Sequence, residues 1–117
     1  MSDILRSDYM IAKYEEHKAS GAMDHECVLC TAEPLETFTY WKIIQNDFPY
    51  DRIAETHHMI VPRRHCIELD LTNEEKIEFS RIKKDVLDRY NYIIEPTNTL
   101  KSIPNHFHLH LIIRKTL

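Results

Sequence analysis

The stretch "NHFHLHLIIR", residues 105–114, alternates histidine with apolar residues near the C-terminal end of the chain. Successive side chains of a β-strand point to opposite faces, so this alternation predicts a strand with two different faces. His106, His108 and His110 share one face, and apolar side chains occupy the other. Imidazole can act as a nucleophile, a base or a metal ligand near neutral pH. The histidine face is therefore the candidate functional surface.

Length and composition limit the setting in which this strand works. The chain has 117 residues and a formal net charge of −4 at pH 7. This length predicts a single domain over residues 1–117, in which residues 1–21 form an additional N-terminal helix. The mixed charges argue against sequence-specific nucleic acid as a partner. No apolar run reaches the length of a membrane span and no secretory signal is recognisable, so we expect a cytoplasmic protein with no membrane partner.

Local patterns predict two main helices and several strands. Segment 2–20 carries capping residues and helix formers and stops before Gly21, and a second helix follows the capping-box pair Thr72 and Glu75. Segments 36–45, 57–62 and 90–96 are rich in apolar, aromatic and β-branched residues and predict further strands. No helix separates the first two of these strands, so we expect them to pair antiparallel. The predicted fold class is α+β.

A cysteine pair forms the second motif of the chain. Cys27 and Cys30 are separated by two residues, a spacing that suits neighbouring corners of a tetrahedral metal site. Three cysteines do not make an even disulfide framework, so metal binding and free thiols both stay open as interpretations. Gly21 is the only glycine, which excludes a glycine-rich phosphate loop. Side chains and ordinary backbone amides must hold any phosphate that binds.

The sequence resembles the histidine triad (HIT) superfamily, whose signature is His-φ-His-φ-His-φ-φ with φ apolar. Residues 106–112, "HFHLHLI", match this signature, and residues 46–69, "NDFPYDRIAETHHMIVPRRHCIEL", resemble the family's segment that leads to Pro-basic-x-His. The resemblance extends from about Cys27 to the C-terminus. It implies a HIT-like antiparallel sheet of about five strands with two main helices. It also implies a homodimer.

The same resemblance implies a reaction at phosphorus. His108 would attack the α-phosphorus of a nucleotide and form a covalent nucleotidyl-histidine, which water then hydrolyses. His110 would hydrogen-bond the phosphate oxygens, and His58, as the family's upstream histidine, would contact the phosphate and the leaving side. His57 would be either a second phosphate contact or an exposed neighbour, and we expect the exposed neighbour. The implied substrate is a purine nucleotide, either a nucleoside phosphoramidate or a dinucleoside polyphosphate.

The branch of the family that carries Cys-x-x-Cys implies a structural zinc as the cofactor. The implied ligands are Cys27, Cys30, His65 and His106. Two thiolates and two imidazoles complete a tetrahedral zinc site and leave no open position. Such a zinc would anchor the histidine strand and take no part in bond making.

The chain departs from the family pattern on the leaving-group side. Asn46, Ser102 and His110 are the implied nucleotide-binding residues, although an asparagine before a turn also suits turn chemistry. Residues 101–105 read "KSIPN" where many members have Gly-Gln-Ser or a similar stretch, and Glu95 stands where relatives often have an amide. We therefore expect an unusual substrate preference.

Two other classes of function stay open on the sequence. His106, His108 and His110 could together hold a catalytic metal, although this arrangement leaves the cysteine pair and His65 unused. The negative charge of Glu95 instead favours a nucleotide-binding module with little turnover. Metal analysis and incubation with an adenosine phosphoramidate distinguish these alternatives from a HIT-type enzyme.

Overall fold

A computed structural model describes residues 4–21, 26–101 and 103–116 of the chain. In order along the chain, the helices and strands are α1 Asp8–Ala19, α2 Val28–Thr31, β1 Pro34–Thr37, β2 Trp41–Gln45, β3 Ala54–Pro62, α3 Asn73–Asp85, β4 Tyr92–Ile94 and β5 Leu109–Arg114. Short 3-10 turns at Glu68–Asp70 and Leu87–Arg89 flank α3. None of the described helices combines the length and apolar character needed to cross a membrane.

The five strands form one antiparallel sheet in the order β1-β2-β3-β5-β4. This sheet, with the two longer helices α1 and α3, confirms the predicted α+β class. The predicted histidine strand is shorter than expected, because β5 begins at Leu109 and only His110 of the three histidines lies within it. β5 lies inside the sheet between β3 and β4, so both of its edges are hydrogen-bonded. Both of its faces are also covered, which explains why histidines and aliphatic residues alike are buried along it.

The segment predicted as one strand, residues 36–45, is a hairpin of β1 and β2, and the single-strand prediction is wrong. The N–H of Phe38 donates to the carbonyl of Trp41 at 2.7 Å and closes the turn. The carboxylate of Glu78 in α3 accepts from the N–H groups of Thr39 and Tyr40, at 3.1 and 2.6 Å. Because a side chain about forty residues away holds this turn, the local pattern of aromatic and β-branched residues could not reveal it.

Helix α3 covers the apolar face of the sheet. It begins at the predicted capping box, in which the Thr72 hydroxyl accepts from the N–H of Glu75 and the Glu75 carboxylate accepts from the N–H of Thr72. The indole N–H of Trp41 donates to the Glu75 carbonyl at 2.8 Å and joins sheet to helix. The core between them contains Trp41, Ile43, Ile60, Ile82, Leu87, Tyr90, Phe107, Leu109 and Leu111.

The opposite face of the sheet, which carries the histidines, is covered by α2 and by the N-terminal segment. Leu29 of α2 packs on aliphatic side chains of β2 and β3. Ser7, which caps α1, donates from its N–H and hydroxyl to the Asp51 carboxylate at 2.7 and 2.5 Å. Because Ser7 is the cap, α1 begins at Asp8 and is shorter than the predicted helix over residues 2–20. The N-terminal segment thus closes the sheet face next to the connection between β2 and β3.

Candidate functional site

Four predicted metal ligands converge at one end of the sheet. Cys27 precedes α2, Cys30 lies within it, His65 follows β3 and His106 precedes β5. One ligand atom from each residue lies within 4.8 Å of the others. Elements that are distant in sequence therefore meet at a single point.

The distances between these atoms fit a tetrahedral metal site. The Nδ1 atom of His106 lies 3.4 Å from the Sγ of Cys27 and 3.3 Å from the Sγ of Cys30. The Nδ1 atom of His65 lies 3.3 Å from the Sγ of Cys30 and 3.2 Å from the Nδ1 of His106. Zinc bond lengths place tetrahedral neighbours about 3.6 Å apart for sulfur and nitrogen and about 3.3 Å apart for two nitrogens. The residues present therefore fit a zinc ion.

Hydrogen bonding and charge also suit a cation at this point. The Nε2–H of His106 donates to the carbonyl of Pro62 at 2.9 Å, which leaves the Nδ1 lone pair facing the cysteines. Desolvation and the neighbouring Cys27 thiol raise the pKa of Cys30 to about 11. Without a cation, lone pairs and protonated thiols crowd together here, whereas a divalent metal displaces the thiol protons and binds all four atoms.

His108 has the tautomer of a nucleophile. Its Nδ1 lies 2.9 Å from the carbonyl oxygen of His106, so Nδ1 carries the proton and the lone pair is on Nε2. Burial lowers the pKa of His108, so the ring is neutral at pH 7. In the described part of the chain Nε2 has no hydrogen-bond partner, and no fully buried side-chain nitrogen or oxygen there lacks one. We infer that Nε2 reaches the protein surface, although the residue as a whole is buried.

His110 is hydrogen-bonded to a second buried histidine, His57. The backbone N–H of Tyr50 donates to Nδ1 of His57 at 2.9 Å, so neutral His57 carries its proton on Nε2. That Nε2 lies 2.7 Å from Nδ1 of His110 and donates to it. His110 must then carry its proton on Nε2, 3.3 Å from the Tyr50 hydroxyl. One backbone amide thus sets the tautomers of both rings.

Burial keeps this histidine pair uncharged. Desolvation, with a smaller effect of the positive charge on Arg6, lowers the pKa of His57 to about 3. Desolvation and the neighbouring histidines lower the pKa of His110 to about 2. The guanidinium of Arg6 lies 4.8 Å from the centroid of the Tyr50 ring, so the N-terminal segment brings a positive charge close to the pair. Both rings are neutral at physiological pH.

The predicted positions of the two upstream histidines are corrected by the structure. His58 lies on the opposite face of the sheet, where its Nδ1 is 2.7 Å from the Tyr90 hydroxyl, and it does not approach His108. His57, expected to be exposed, is 1 % exposed and contacts His110. Consecutive strand residues point to opposite faces, so only one residue of this pair can share the face of the triad.

The predicted nucleotide-binding residues are distributed differently. Asn46 is buried just after β2, where its Oδ1 accepts from the N–H of Phe48 at 2.8 Å and its Nδ2–H donates to the Sδ of Met59 at 3.6 Å. Its amide is therefore used within the protein. Ser102 lies outside the described residues. Tyr50, which the sequence reasoning missed, contacts both His57 and His110; its place in the Pro-Tyr motif is the signal that could have identified it.

The three triad histidines do not form a metal site of their own. Among the described residues, the ligand atoms of the cysteine pair, His65 and His106 are the group that comes close enough to hold an ion. His108 uses Nδ1 on a backbone carbonyl, and His110 uses Nδ1 on His57. Their nitrogens therefore do not converge on a common point, which argues against the catalytic-metal alternative.

Comparisons with known proteins agree with this architecture. No sequence-family model matches the chain, and no curated protein matches it by sequence. Among solved structures, a histidine triad protein from Clostridium difficile superposes with a TM-score of 0.57 at 17 % identity, over 80 % of this chain and 94 % of that one. HTC1 superposes with a TM-score of 0.58 at 17 % identity, over 97 % of this chain and 77 % of that one. The chain therefore has the fold of a histidine triad protein.

Proposed function

We propose that the protein is a nucleotide hydrolase or nucleotidyl transferase that acts at an α-phosphate through His108. The observation that carries this proposal is the hydrogen bond from Nδ1–H of His108 to the carbonyl of His106, which places a lone pair on the surface-facing Nε2. A neutral imidazole held in one tautomer is a competent nucleophile at pH 7. The histidine triad fold of the solved structures supports the same reading.

The proposed reaction has two displacements at phosphorus. In the first, Nε2 of His108 forms a bond to the α-phosphorus, the bond to the leaving nitrogen or oxygen breaks with its electron pair, and the leaving group takes a proton from solvent. In the second, a water oxygen bonds to phosphorus and loses a proton, and the phosphorus–nitrogen bond returns its electron pair to Nε2. The products are a nucleoside monophosphate and an amine or a shorter nucleotide. Dividing the displacement lowers each barrier.

His110 and His57 supply the electrostatics of the proposed site. The His110 ring centroid lies 5.3 Å from that of His108, so a phosphate on His108 is near the Nε2–H of His110. The contact of this N–H with the Tyr50 hydroxyl is long at 3.3 Å and can be exchanged for a phosphate oxygen. His57 keeps the proton on the correct nitrogen of His110. His57 thus replaces His58 as the upstream histidine of the proposed site, and it supports His110 instead of contacting the phosphate as was predicted for His58.

The cysteine and histidine cluster is proposed to hold a structural zinc. Cys27, Cys30, His65 and His106 offer four ligands, and a fully ligated zinc supplies cross-linking without Lewis-acid chemistry. Because His106 also accepts the Nδ1–H of His108 on its carbonyl, holding His106 fixes the orientation of the nucleophile.

A homodimer is proposed to form through an edge of the sheet. The strand β4 is an edge strand, and its Tyr92 and Ile93 are 53 % and 38 % exposed. An uncovered edge with exposed apolar side chains is a surface that proteins usually pair or cover. Light scattering tests this proposal, because a dimer built on β4 becomes a monomer in Ile93→Lys and stays a dimer in the exposed-helix control Lys84→Ser.

Trapping the covalent intermediate tests the proposed function. The protein is incubated with a fluorogenic adenosine phosphoramidate, quenched in base and analysed by peptide mass spectrometry, because P–N bonds to histidine survive alkali. We expect an adenylyl group on the peptide that contains His108, and no adduct or turnover in His108→Ala. The control His58→Ala, on the other sheet face, keeps both. Nucleotide binding without turnover in the wild type would instead identify a binding module.

Metal analysis of the same variants tests the zinc assignment. We expect bound zinc in the wild type and in His108→Ala, and its loss in Cys27→Ser. Loss of metal in His108→Ala with retention in Cys27→Ser would contradict the assignment and return the triad histidines to a metal-binding role.

A further inference from the structure

A charged pair lies in the connection between β4 and β5, where the family pattern has uncharged residues. The ammonium of Lys101 lies 3.2 Å from a carboxylate oxygen of Glu95. The Lys101 side chain is only 14 % exposed, whereas that of Glu95 is 40 % exposed. A lysine covered to this extent differs from the freely solvated lysines of an ordinary protein surface.

Strand register brings the pair to the site. Ile94, the last residue of β4, is the partner of His110 in β5, so the antiparallel continuation carries Glu95 toward the residues that precede His110. The chain then turns back, because the N–H groups of Leu100 and Lys101 donate to the carbonyl of Thr97 at 2.9 and 3.2 Å.

Lys101 and Glu95 also affect the pKa of His108. The positive charge of Lys101 and the negative charge of Glu95 act in opposite directions on the pKa of His108. Both side chains are therefore within electrostatic range of the ring whose Nε2 reaches the surface.

We propose that Glu95 and Lys101 select the substrate by the charge of its leaving group. This inference rests on the proposed function. Lys101 binds the phosphate that His108 attacks, and Glu95 faces the departing group. An amine that carries a positive charge is favoured, and an anionic group, such as the phosphates of a dinucleoside polyphosphate, is disfavoured.

The physical basis is an exchange of ionic partners. A partly exposed ion pair gains little net free energy, so a phosphate oxygen can replace the carboxylate on Lys101 at small cost. The carboxylate of Glu95 is then left beside the leaving group without its cation. It attracts a positive leaving group and repels a negative one, and screening by water limits the effect to a modest factor.

Two matched substrates measure this selection. Both are adenosine 5′-phosphoramidates: one has 1,3-diaminopropane as the leaving amine and ends in an ammonium group, and the other has β-alanine and ends in a carboxylate. Steady-state kinetics give kcat and KM for each substrate. The quantity compared is the ratio of the two kcat/KM values, which cancels differences in protein quality between preparations.

The variants separate the two charges. We expect the wild type to prefer the ammonium substrate, and Glu95→Gln to reduce the preference by about threefold or more. The control Glu55→Gln removes an exposed charge at the far end of β3 and leaves the ratio unchanged. Lys101→Met should raise KM for both substrates by about tenfold with a smaller change in kcat. Lys101→Arg should restore much of the binding, and Lys84→Met is the control for charge alone.

The possible failures are distinguishable. Turnover of both substrates with the same ratio in Glu95→Gln and the wild type overturns the selection by charge and leaves the proposed function intact. An unchanged KM in Lys101→Met would likewise show that Lys101 does not bind the phosphate. Absence of turnover and of any His108 adduct in the wild type overturns the proposed function, and the charge selection with it. Urea midpoints of all variants identify any that fail through misfolding.

Discussion

The buried His57–His110 pair makes the stability of this protein steeply dependent on pH. Both rings are almost fully buried, and Nε2 of His57 lies 2.7 Å from Nδ1 of His110. Neither ring can accept a further proton without placing a charge in the interior. Their pKa values are lowered from 6.5 to about 3 and about 2, chiefly by desolvation. Below pH 6.5 these two histidines therefore bind protons in the unfolded chain but not in the folded chain. Their contribution to stability is complete above pH 6.5 and is lost as the pH falls toward the folded pKa values.

The size of the effect follows from the unfolded state. At pH 5 an unfolded histidine with a pKa of about 6.5 gains about 2 kcal/mol from protonation, relative to pH 7. The folded pKa values of His57 and His110 need only lie well below 5 for this figure to hold. The pair should therefore cost the protein about 4 kcal/mol of stability between pH 7 and pH 5. This is a large part of the stability of a small domain.

Urea unfolding at several pH values measures this loss. Trp41 is the only tryptophan of the chain and is fully buried, so its fluorescence reports unfolding of the core. We expect His57→Gln/His110→Gln to be less stable than the wild type at pH 7 but to lose about 4 kcal/mol less on going to pH 5, and each single variant about 2 kcal/mol less. Zinc concentration is kept constant, so that any bound metal affects all variants alike.

The control is Ile82→Val, a buried residue of α3 in the core on the other face of the sheet, which has no titrating group. It should lower the free energy of unfolding by the same amount at both pH values. The double glutamine variant could instead lose as much stability between pH 7 and pH 5 as the wild type does. That result would show that the two rings are not buried in the neutral form, and it would also contradict the tautomer assigned to His110.

Three further predictions concern the parts of the fold that position the site. Glu78→Ala removes the carboxylate that holds the β1–β2 turn and should lower the urea unfolding free energy by about 1–2 kcal/mol, whereas Glu74→Ala should change it little. Glu75→Gln should cost about 1–3 kcal/mol at pH 7. Because Arg64 lowers the Glu75 pKa, this cost is present above the unfolded pKa and should shrink in acid as wild-type Glu75 protonates. Ser7→Ala removes the cap of α1 and its contact with Asp51, and should cost about 1 kcal/mol and speed proteolysis of the N-terminal segment; an unchanged cleavage rate would contradict the docking of α1.

Motifs that depend on short spacing were predictable. The capping box of Thr72 and Glu75 and the spacing of Cys27 and Cys30 are local patterns, and both have the predicted geometry. The alternation of histidines with apolar residues predicted the strand only in part, because His106 and His108 precede β5. Local patterns succeed here because the period of a helix or a strand fixes which side chains share a face.

Predictions that depend on pairing partners were less successful. The β1–β2 hairpin is stabilised by Glu78 from α3, and no signal within residues 36–45 identifies that contact. The choice between His57 and His58 depends on which residue of β3 faces the same side as His110. That choice is made by the register of β3 against β5, and a shift of one residue exchanges the two faces.

The sequence by itself determined the main classes of element, the α+β architecture and the cysteine and histidine motifs of the candidate site, but it selected His58 instead of His57 and missed Tyr50. Only the tertiary structure decided which of these residues meet, which nitrogen of each ring carries the proton and which charges lie beside His108. The physical reason is that strand period is a property of neighbouring residues, whereas tautomers and burial depend on atoms supplied by distant segments, such as the Tyr50 amide on His57 and the His106 carbonyl on His108.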